Sequence, residues 1–584
     1  MPGIPITTRL TLTSIVLITM LWAGTLLAQA SAVTVEITGL EDAQADNVRA
    51  HLSLTDLEAG ASERHVRRLF GDAPAEIRDA LRALGYYEPA IDSDLETTAD
   101  GWLVRFSIRP GPPVVVENID YRIEGPGADD PVLKGLAADF PLQSGDTLNH
   151  ARYQASKNRI RDAALQRGYF DFRFLRHRLE VDLVDHRADA ILHVATGPRY
   201  RFGEVTLEQT TFRDDFLRRY LPFAPGDPYH QRELVELRQA LTNSGYFSRV
   251  DVKPRRKATN GDRVPVVVRL NPLKQHEYRF GIGYGTDTGP RALTGWTVRH
   301  LNAKGHRADT ELNVSAIRQR LEANYQIPLE DPAHDTLSYA AGIQQEEVDG
   351  NPSQRLTSEA RLSHLRDDGW LFTRFLRLEQ ETFEIGATDE RTTLLLPGVI
   401  FSRVVAKDRL NPREGHRLSL TLQGAHDSLL SDVSLGQAIL RGKRIDPLGE
   451  RNRLLTRVDL GGTLIDEFEE VPTSLRFFAG GDQSVRGYDY RQLGPEDESG
   501  EVVGGKYLAV ASVEFEHRFR EKWGVAAFVD TGNAYDEPGT DLKTGIGVGL
   551  RWFSPVGPLR LDFASPVDDD DRGLRIHFHM GPDL

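Results

Sequence analysis

The amino-acid sequence predicts α+β repeats followed by a 16-stranded antiparallel transmembrane β-barrel. Three observations support this prediction: an apolar leader at the N-terminus, a glycine–aromatic motif that recurs through the first half, and period-two alternation of apolar and polar side chains from about residue 275 onward. At 584 residues the chain is also too long for one compact domain, so several units are expected.

Composition bounds the class of protein. The chain has 71 basic and 86 acidic side chains, a formal net charge of −15. This argues against nucleic acid as a partner, because phosphate binding needs a concentrated positive surface. Cysteine is absent, which suits passage through an oxidising compartment and excludes a zinc–thiolate site and a lipid-modified N-terminal cysteine. An acidic, glycine-rich chain of this kind is typical of an outer-membrane barrel with a polar lumen.

The N-terminus has the features of a secretory signal peptide, which we place at residues 1–32. Arg9 supplies the positive charge, residues 15–27 form the apolar core, and small residues between 28 and 32 offer two overlapping cleavage sites. The alternative is a single anchor helix, but the apolar run is short for a span of about 20 residues. Since no later segment is apolar over that length, entry into a membrane requires a closed barrel.

A repeated unit is predicted between the signal peptide and residue 272. An amphipathic helical segment ends three times in a glycine followed by two aromatic residues, at a spacing of roughly 80 residues. The glycines are Gly85, Gly168 and Gly245. Glycine suits a helix C-terminus that needs a left-handed backbone, and we expect the aromatic pair to begin the next strand. A Gly-Pro turn before a strand, at 111–112 and 197–198, argues against three coincidental α+β segments.

Each repeat is therefore predicted to run strand, two helices, two strands. We place the repeats at residues 33–110, 111–197 and 198–272, and the barrel at residues 273–584.

In the predicted barrel, apolar and polar residues alternate strand after strand. Ile546, Val548 and Leu550, for example, alternate with glycines and Arg551. A soluble β-sandwich also alternates, but here charges recur on one face of successive strands, as expected for a wet lumen inside an apolar belt. Turns are expected at 302–306, 350–352, 411–412 and 446–447.

One loop and one strand stand out within the barrel. A polar, glycine-rich stretch at 480–488 carries Arg486, and the later segment 528–532 carries Asp530 on the strand face shared with Phe528. We expect Asp530 to point into the lumen and Arg486 to bind it with its planar fork, a geometry that lysine cannot copy. The alternative is a solvated loop arginine and an unrelated lumen carboxylate.

These motifs together resemble the Omp85 superfamily, and the resemblance spans the mature chain. The repeated module resembles its polypeptide-transport-associated (POTRA) domain, the segment around Arg486 resembles its sixth-loop motif, and Asp530 matches the acidic position of its thirteenth-strand motif. Three modules and the C-terminal residues 581–584 are similar to the TamA branch. The superfamily's central assembly barrel would carry five modules, and its two-partner secretion transporters two with a plug helix.

The resemblance implies roles for two sets of residues. The loop-six latch, which holds the sixth loop inside the barrel, consists of Val485, Arg486, Gly487, Tyr488, Asp530 and Gly532. The lateral seam between the first and last barrel strands, with the β-signal of the last strand, consists of Gly281, Gly283, Gly285, Gly573, Ile576 and Phe578. Glycine weakens strand packing, and the resemblance implies that this seam opens sideways toward lipid. Its exposed edges would then offer a template to a client strand by β-augmentation.

The resemblance also implies a place and partners. It implies the cell outer membrane with POTRA domains in the periplasm, an inner-membrane-anchored TamB-like subunit bound through those domains, unfolded outer-membrane protein clients and outer-membrane lipids. The implied function is an assembly and translocation factor that inserts β-barrel clients such as autotransporters through the seam. A two-partner-secretion-type polypeptide pore is the alternative.

A third class, an outer-membrane hydrolase, is disfavoured. The sequence contains no nucleophile elbow, metalloprotease helix or phosphate-binding loop. The acidic run 568–571 is interpreted as a solvated turn, and His577 with His579 as strand residues without the further ligands that a metal site needs. We therefore predict no catalytic residues, no metal site and no cofactor.

Overall fold

The computed structural model describes residues 32–58, 60–99, 101–386, 388–408, 411–554, 557–569 and 573–581. The predicted signal peptide, apart from Ala32, lies outside the described residues, as do 570–572 and the C-terminal 582–584. The chain divides into two compact units, one with the first two repeats and parts of the third, the other with the rest of the third repeat and the barrel. Within the described ranges, no helix is long and apolar enough to cross a membrane.

Each repeat has the predicted order of strand, two helices and two strands. The first contains β1 (Ala32–Thr38), α1 (Asp42–His51), α2 (Glu63–Ala83), β2 (Ala90–Thr98) and β3 (Gly101–Arg109). The second contains β4 (Val115–Glu124), α3 (Pro131–Ala138), α4 (His150–Gln166), β5 (Arg173–Asp182) and β6 (Arg187–Ala195). The third contains β7 (Arg201–Glu208), α5 (Asp214–Arg218), α6 (Gln231–Asn243), β8 (Phe247–Pro254) and β9 (Arg263–Pro272). In each sheet the last strand lies in the middle, in the orders β1-β3-β2, β4-β6-β5 and β7-β9-β8.

Strand alternation and helix periodicity build these small cores. In the first repeat, Val104, Phe106 and Ile108, every second residue of β3, are fully buried in one cluster with Ile77 and Leu81 of α2. Burying side chains from one sheet face and one helix stripe is what allows so small a unit to fold.

The glycines after the helices have the predicted left-handed backbone, with φ values of 94°, 87° and 69° at Gly85, Gly168 and Gly245. The expectation that the aromatic pair begins the next strand is wrong for the first two repeats, since β2 begins at Ala90 and β5 at Arg173. The aromatic rings fill the core beneath the helix end before the strand starts, and Tyr169 is only 3% exposed.

The barrel is one 16-stranded sheet in which each strand pairs with its neighbour in sequence. Its strands are β10 (His276–Gly285), β11 (Gly289–Val298), β12 (Arg307–Ser315), β13 (Arg318–Pro328), β14 (Asp335–Val348), β15 (Asn351–Leu365), β16 (Trp370–Ile385), β17 (Thr388–Ala406), β18 (Gly415–Ala425), β19 (Leu435–Leu448), β20 (Asn452–Leu464), β21 (Tyr507–Arg520), β22 (Trp523–Tyr535), β23 (Lys543–Ser554), β24 (Gly557–Pro566) and β25 (Arg575–Met580). The predicted fold class, α+β repeats followed by a 16-stranded barrel, is confirmed.

Apolar side chains of the strands point outward, as an apolar belt requires. Phe280 and Ile282 of β10 are 77% and 89% exposed, respectively. Two predicted turns are misplaced. Asn351 and Pro352 of the predicted turn 350–352 lie within β15, and Asp446 and Pro447 lie within β19, which ends at Leu448. A proline near a strand end is tolerated where its missing N–H would not join the ladder, so the turn after β19 falls at the following residues.

The third repeat packs directly on the turn between β11 and β12. The rings of Phe212 and Tyr246 lie 4.9 Å apart, the Tyr246 hydroxyl donates to the carbonyl of Gly305, and the guanidinium of Arg307 lies 3.9 Å from the centre of the Tyr246 ring. Gly305 has φ 79°, and a Cβ there would collide with the ring of Phe216. The close approach therefore depends on a residue without a side chain.

Candidate functional site

Loop six, residues 465–506 between β20 and β21, is held by its own turns and by a small apolar cluster. Its backbone pairs with itself where Ala479 faces Leu493. Val485 and Tyr488 are 0% and 2% exposed and pack in one cluster with Ala479, Leu493 and Val510 of β21. A loop with its own packed residues and a wall contact has a restricted set of conformations.

Arg486, at the centre of this loop, binds Asp530 of β22 with both arms of its guanidinium. Nε donates to Oδ2 at 2.7 Å and Nη2 to Oδ1 at 3.0 Å. The backbone N–H of Arg486 also donates to Oδ2, and the Ser512 hydroxyl donates to Oδ1 at 2.6 Å. Asp530 is fully buried, so both carboxylate oxygens are satisfied without water.

A wider charge network surrounds this pair, and the sequence reasoning missed it. Nη1 of Arg486 donates to Glu514 of β21 at 2.7 Å and to Asp562 of β24 at 2.9 Å. Arg551 of β23, fully buried, binds the same two carboxylates from the other side. The only signal in the sequence was charge on the lumen face of neighbouring strands, which does not say which charges meet.

The network fixes the charge state of Arg486. Burial by itself would lower the pKa of the guanidinium, but the carboxylates of Glu514, Asp530 and Asp562 raise that pKa above its ordinary value. The guanidinium also lies 3.3 Å from the centre of the Phe528 ring, a favourable cation–π contact. Arg486 is therefore a permanent buried cation enclosed by three anions and an aromatic face.

The two glycines of the predicted latch lie where backbones approach closely. Gly487 has φ 100°, its N–H donates to Nε2 of His577 at 3.0 Å, and a Cβ there would lie 3.0 Å from the carbonyl carbon of Ser565. Gly532 instead makes room between neighbouring strands, since a Cβ there would lie 2.5 Å from the carbonyl oxygen of Ala509. The contact with His577 joins loop six to the last strand and was not predicted.

The first and last strands share no ladder among the described residues; the sheet runs from β10 to β25 without closing. Among the described residues, three hydrogen bonds join β25 to the turn after β10 and to the start of β11. The N–H of Thr286 donates to the Phe578 carbonyl and the N–H of Phe578 to the Thr286 hydroxyl, each at 3.2 Å. The guanidinium of Arg291 donates to the Met580 carbonyl at 2.6 Å.

Gly573, predicted to lie on the last strand beside the seam, lies before that strand. β25 begins only at Arg575, which pairs with Ala564. Extending the ladder would place Gly573 opposite Pro566, which has no N–H to continue it. Of the other predicted seam residues, Gly281, Gly283 and Gly285 lie on β10, and Ile576 and Phe578 on β25.

Loop six contacts both sides of the seam. The N–H of Asp482 donates to Oδ2 of Asp287, in the turn after β10, at 2.6 Å. Nε2 of Gln483 lies 3.1 Å from Nδ1 of His579, and Asp489 forms an ion pair with Arg575. His579 and Arg575 both lie on β25. Burial first, and the adjacent Asp482 carboxylate second, raise the pKa of Asp287 to about 7.

Comparison with known families decides the class of the chain. A model of the Omp85 superfamily domain matches residues 309–583. A model of TamA POTRA domain 1 matches residues 34–110, and a POTRA model described as surface antigen variable number repeat matches 120–197 and 200–272. The barrel domain therefore belongs to the Omp85 superfamily. The chain is an outer-membrane β-barrel protein with periplasmic POTRA domains, as predicted.

Individual relatives are distant. The chain is 23% identical over 529 residues to outer membrane protein assembly factor BamA of Nitratidesulfovibrio vulgaris, covering 85% of this chain and 66% of that protein. It is 21% identical to BamA of Neorickettsia risticii, covering 86% and 72%. The chain thus spans about two thirds of the length of these relatives. BamA from Haemophilus ducreyi lacking POTRA domains 1–3 shares the fold, with a TM-score of 0.66, 16% identity, and coverage of 80% and 99%.

Proposed function

We propose that this Omp85 protein is an assembly and translocation factor that inserts β-barrel clients such as autotransporters into the outer membrane through the seam between β10 and β25. An inner-membrane-anchored TamB-like subunit works with it from the periplasmic side, docked on the POTRA domains. Outer-membrane lipids surround the seam and receive the client. The proposal assigns no catalytic step and no cofactor to the chain.

One observation supports the proposal most directly: over residues 276–282, the edge of β10 that faces β25 has no strand partner among the described residues. Among the described residues, no backbone hydrogen bond joins 276–282 to β25. Unpaired N–H and C=O groups are the template that β-augmentation uses. In a bilayer such groups are costly when left unpaired, so an incoming strand that pairs with them is stabilised as it enters the lipid.

The assignment to the TamA type rests on the first repeat. The model that matches residues 34–110 is specific to the first TamA POTRA domain. Three POTRA modules precede the barrel, which also supports this assignment. A POTRA array that faces the periplasm is the part of the chain within reach of a subunit anchored in the inner membrane.

A reversible crosslink across the seam tests the proposal. The rings of Tyr284 and Phe578 lie 6.1 Å apart across it, and the chain has no cysteine of its own, so Tyr284→Cys with Phe578→Cys creates a single disulfide. The matched control, Ile282→Cys with Ala292→Cys, joins β10 to β11, where a register pair already exists. The substrate is an autotransporter β-domain presented to vesicles that hold the full chain.

Oxidation of the seam pair should stop insertion, and reduction should restore it, whereas the control pair should insert the substrate in both states. Equal insertion by the oxidised and reduced seam variants would contradict the seam route. Export of one dedicated soluble protein, with normal insertion by the oxidised seam variant, would favour the two-partner secretion pore instead.

A further inference from the structure

Arg291 reaches across the first barrel strand to the last one. It lies on β11, where its register partner on β10 is Gly283. Its side chain crosses β10 at that glycine, and Nη2 donates to the Met580 carbonyl of β25 at 2.6 Å. A Cβ at Gly283 would lie 2.8 Å from Nε and 3.2 Å from Cγ of Arg291, so the path exists because residue 283 has no side chain.

The neighbouring strands contain the same arrangement with a different end point. Arg279 of β10 lies over Gly295 of β11, where a Cβ would lie 3.1 Å from Nε. Its Nη2 reaches Glu311 of β12 at 3.4 Å. Arg279 thus ends on a carboxylate inside the sheet, whereas Arg291 ends on a neutral backbone carbonyl across the seam.

A guanidinium has five N–H donors, and the bond from Arg291 to the Met580 carbonyl uses one of them. Arg291 has no ion pair with a carboxylate among the described residues. A carboxylate accepts two parallel N–H bonds from a guanidinium and carries the opposite charge, so it binds the guanidinium with one more bond and a Coulomb attraction that a neutral carbonyl lacks. A strand that ended at the position of Met580 would present two charged oxygens where this chain presents one carbonyl oxygen.

We propose that Arg291 recognises the C-terminal carboxylate of a strand added to β10, and that Gly283 is the positioning residue that lets it do so. Without a client, Arg291 holds the Met580 carbonyl of its own last strand. An incoming strand that ends in this register replaces the bond to a neutral carbonyl with a bidentate ion pair, which favours displacement of β25. The inference rests on the proposed function, since it concerns the end of the client strand that the seam accepts.

The test uses the full chain in lipid nanodiscs and a fluorescent peptide with the sequence of residues 573–580, made as the free acid and as the C-terminal amide. Anisotropy titration should show the acid binding about fivefold more tightly than the amide, because the carboxylate adds an opposite charge and a second acceptor oxygen for the guanidinium. Arg291→Ala and Gly283→Ala should each bring this ratio close to one. The matched controls, Arg279→Ala and Gly295→Ala, should keep it.

Equal binding of acid and amide by the unmodified chain would overturn the inference and leave the seam route standing. A ratio that survives both Arg291→Ala and Gly283→Ala would also overturn it, because another group would then read the carboxylate. Binding of neither peptide would count against the seam route itself. Gly283→Ala keeps the charge of Arg291 and only blocks the path of its side chain. Comparing this variant with Arg291→Ala therefore distinguishes an effect of the position of the guanidinium from an effect of losing its charge.

Discussion

Removal of Arg486 should release loop six from the barrel wall. Arg486→Ala leaves Asp530, Glu514 and Asp562 with Arg551 as the remaining cation that bridges two of them. Breaking one partner of a buried ion pair costs about 3–5 kcal/mol, because a buried charge is left uncompensated. At about 1.4 kcal/mol for each factor of ten, the equilibrium between docked and released loop should shift by roughly 100- to 4,000-fold toward release.

A single buried cysteine reports this equilibrium. Val485 is fully buried beside Arg486, and the chain contains no other cysteine, so maleimide labelling of Val485→Cys is limited by release of the loop. At pH 8, the labelling rate should rise about 100-fold or more when Arg486→Ala is added. Arg486→Lys should give a smaller increase, because it keeps the charge and loses the fork.

The matched control removes another arginine that binds the same loop. Arg575 forms an ion pair with Asp489, and the two side chains are 33% and 70% exposed. An exposed pair contributes about 1 kcal/mol at most, so Arg575→Ala should raise the labelling rate no more than about fivefold. If Arg486→Ala had no larger effect than Arg575→Ala, the buried network would not be what holds loop six.

Two further predictions concern the turns at either end of the barrel. Burial first, and the nearby Asp482 carboxylate second, raise the pKa of Asp287 to about 7. The protonated Asp287 side chain should therefore stabilise the fold most below about pH 4 and lose that contribution as the pH rises to 7 and above. Heat-modifiable electrophoretic mobility should show this slope, and Asp287→Asn should remove the part of the slope that Asp287 contributes. Gly305→Ala should loosen the third repeat from the barrel, seen as faster protease cleavage between β9 and β10. The control is Gly350→Ala, which imposes similar backbone strain, since Gly350 has φ 83°, but no clash, since no atom lies within 4 Å of the added Cβ. This variant should leave the rate of cleavage between β9 and β10 unchanged.

Period-two patterns were enough to predict the barrel, because an apolar outer face and a polar lumen impose alternation on every strand. The repeats were readable because each helix ends at a glycine that only a left-handed backbone explains. Both signals are local. The exact start of β25 was not readable, since it depends on Pro566 of a different strand.

The candidate site was predictable only in its central pair. Arg486 and Asp530 could be matched by residue type and strand parity, but Arg551 and Glu514 complete the network through register across β21 to β24, which a single sequence does not reveal. The contact of Gly487 with His577 depends on how far loop six reaches into the barrel. Arg291 was hidden for the same reason, because its role follows from the glycine opposite it.

The packing of the third repeat on the β11–β12 turn has a mechanical consequence. Only residues 273–275 separate β9 from β10, and the N–H of Leu273 is bonded to the Tyr246 carbonyl at 2.7 Å. A force applied to the third repeat is therefore transmitted to β10 without a long flexible linker between them. Because the third repeat also packs on the β11–β12 turn, a pull on that repeat would act on β10 and β11, the strands next to the seam.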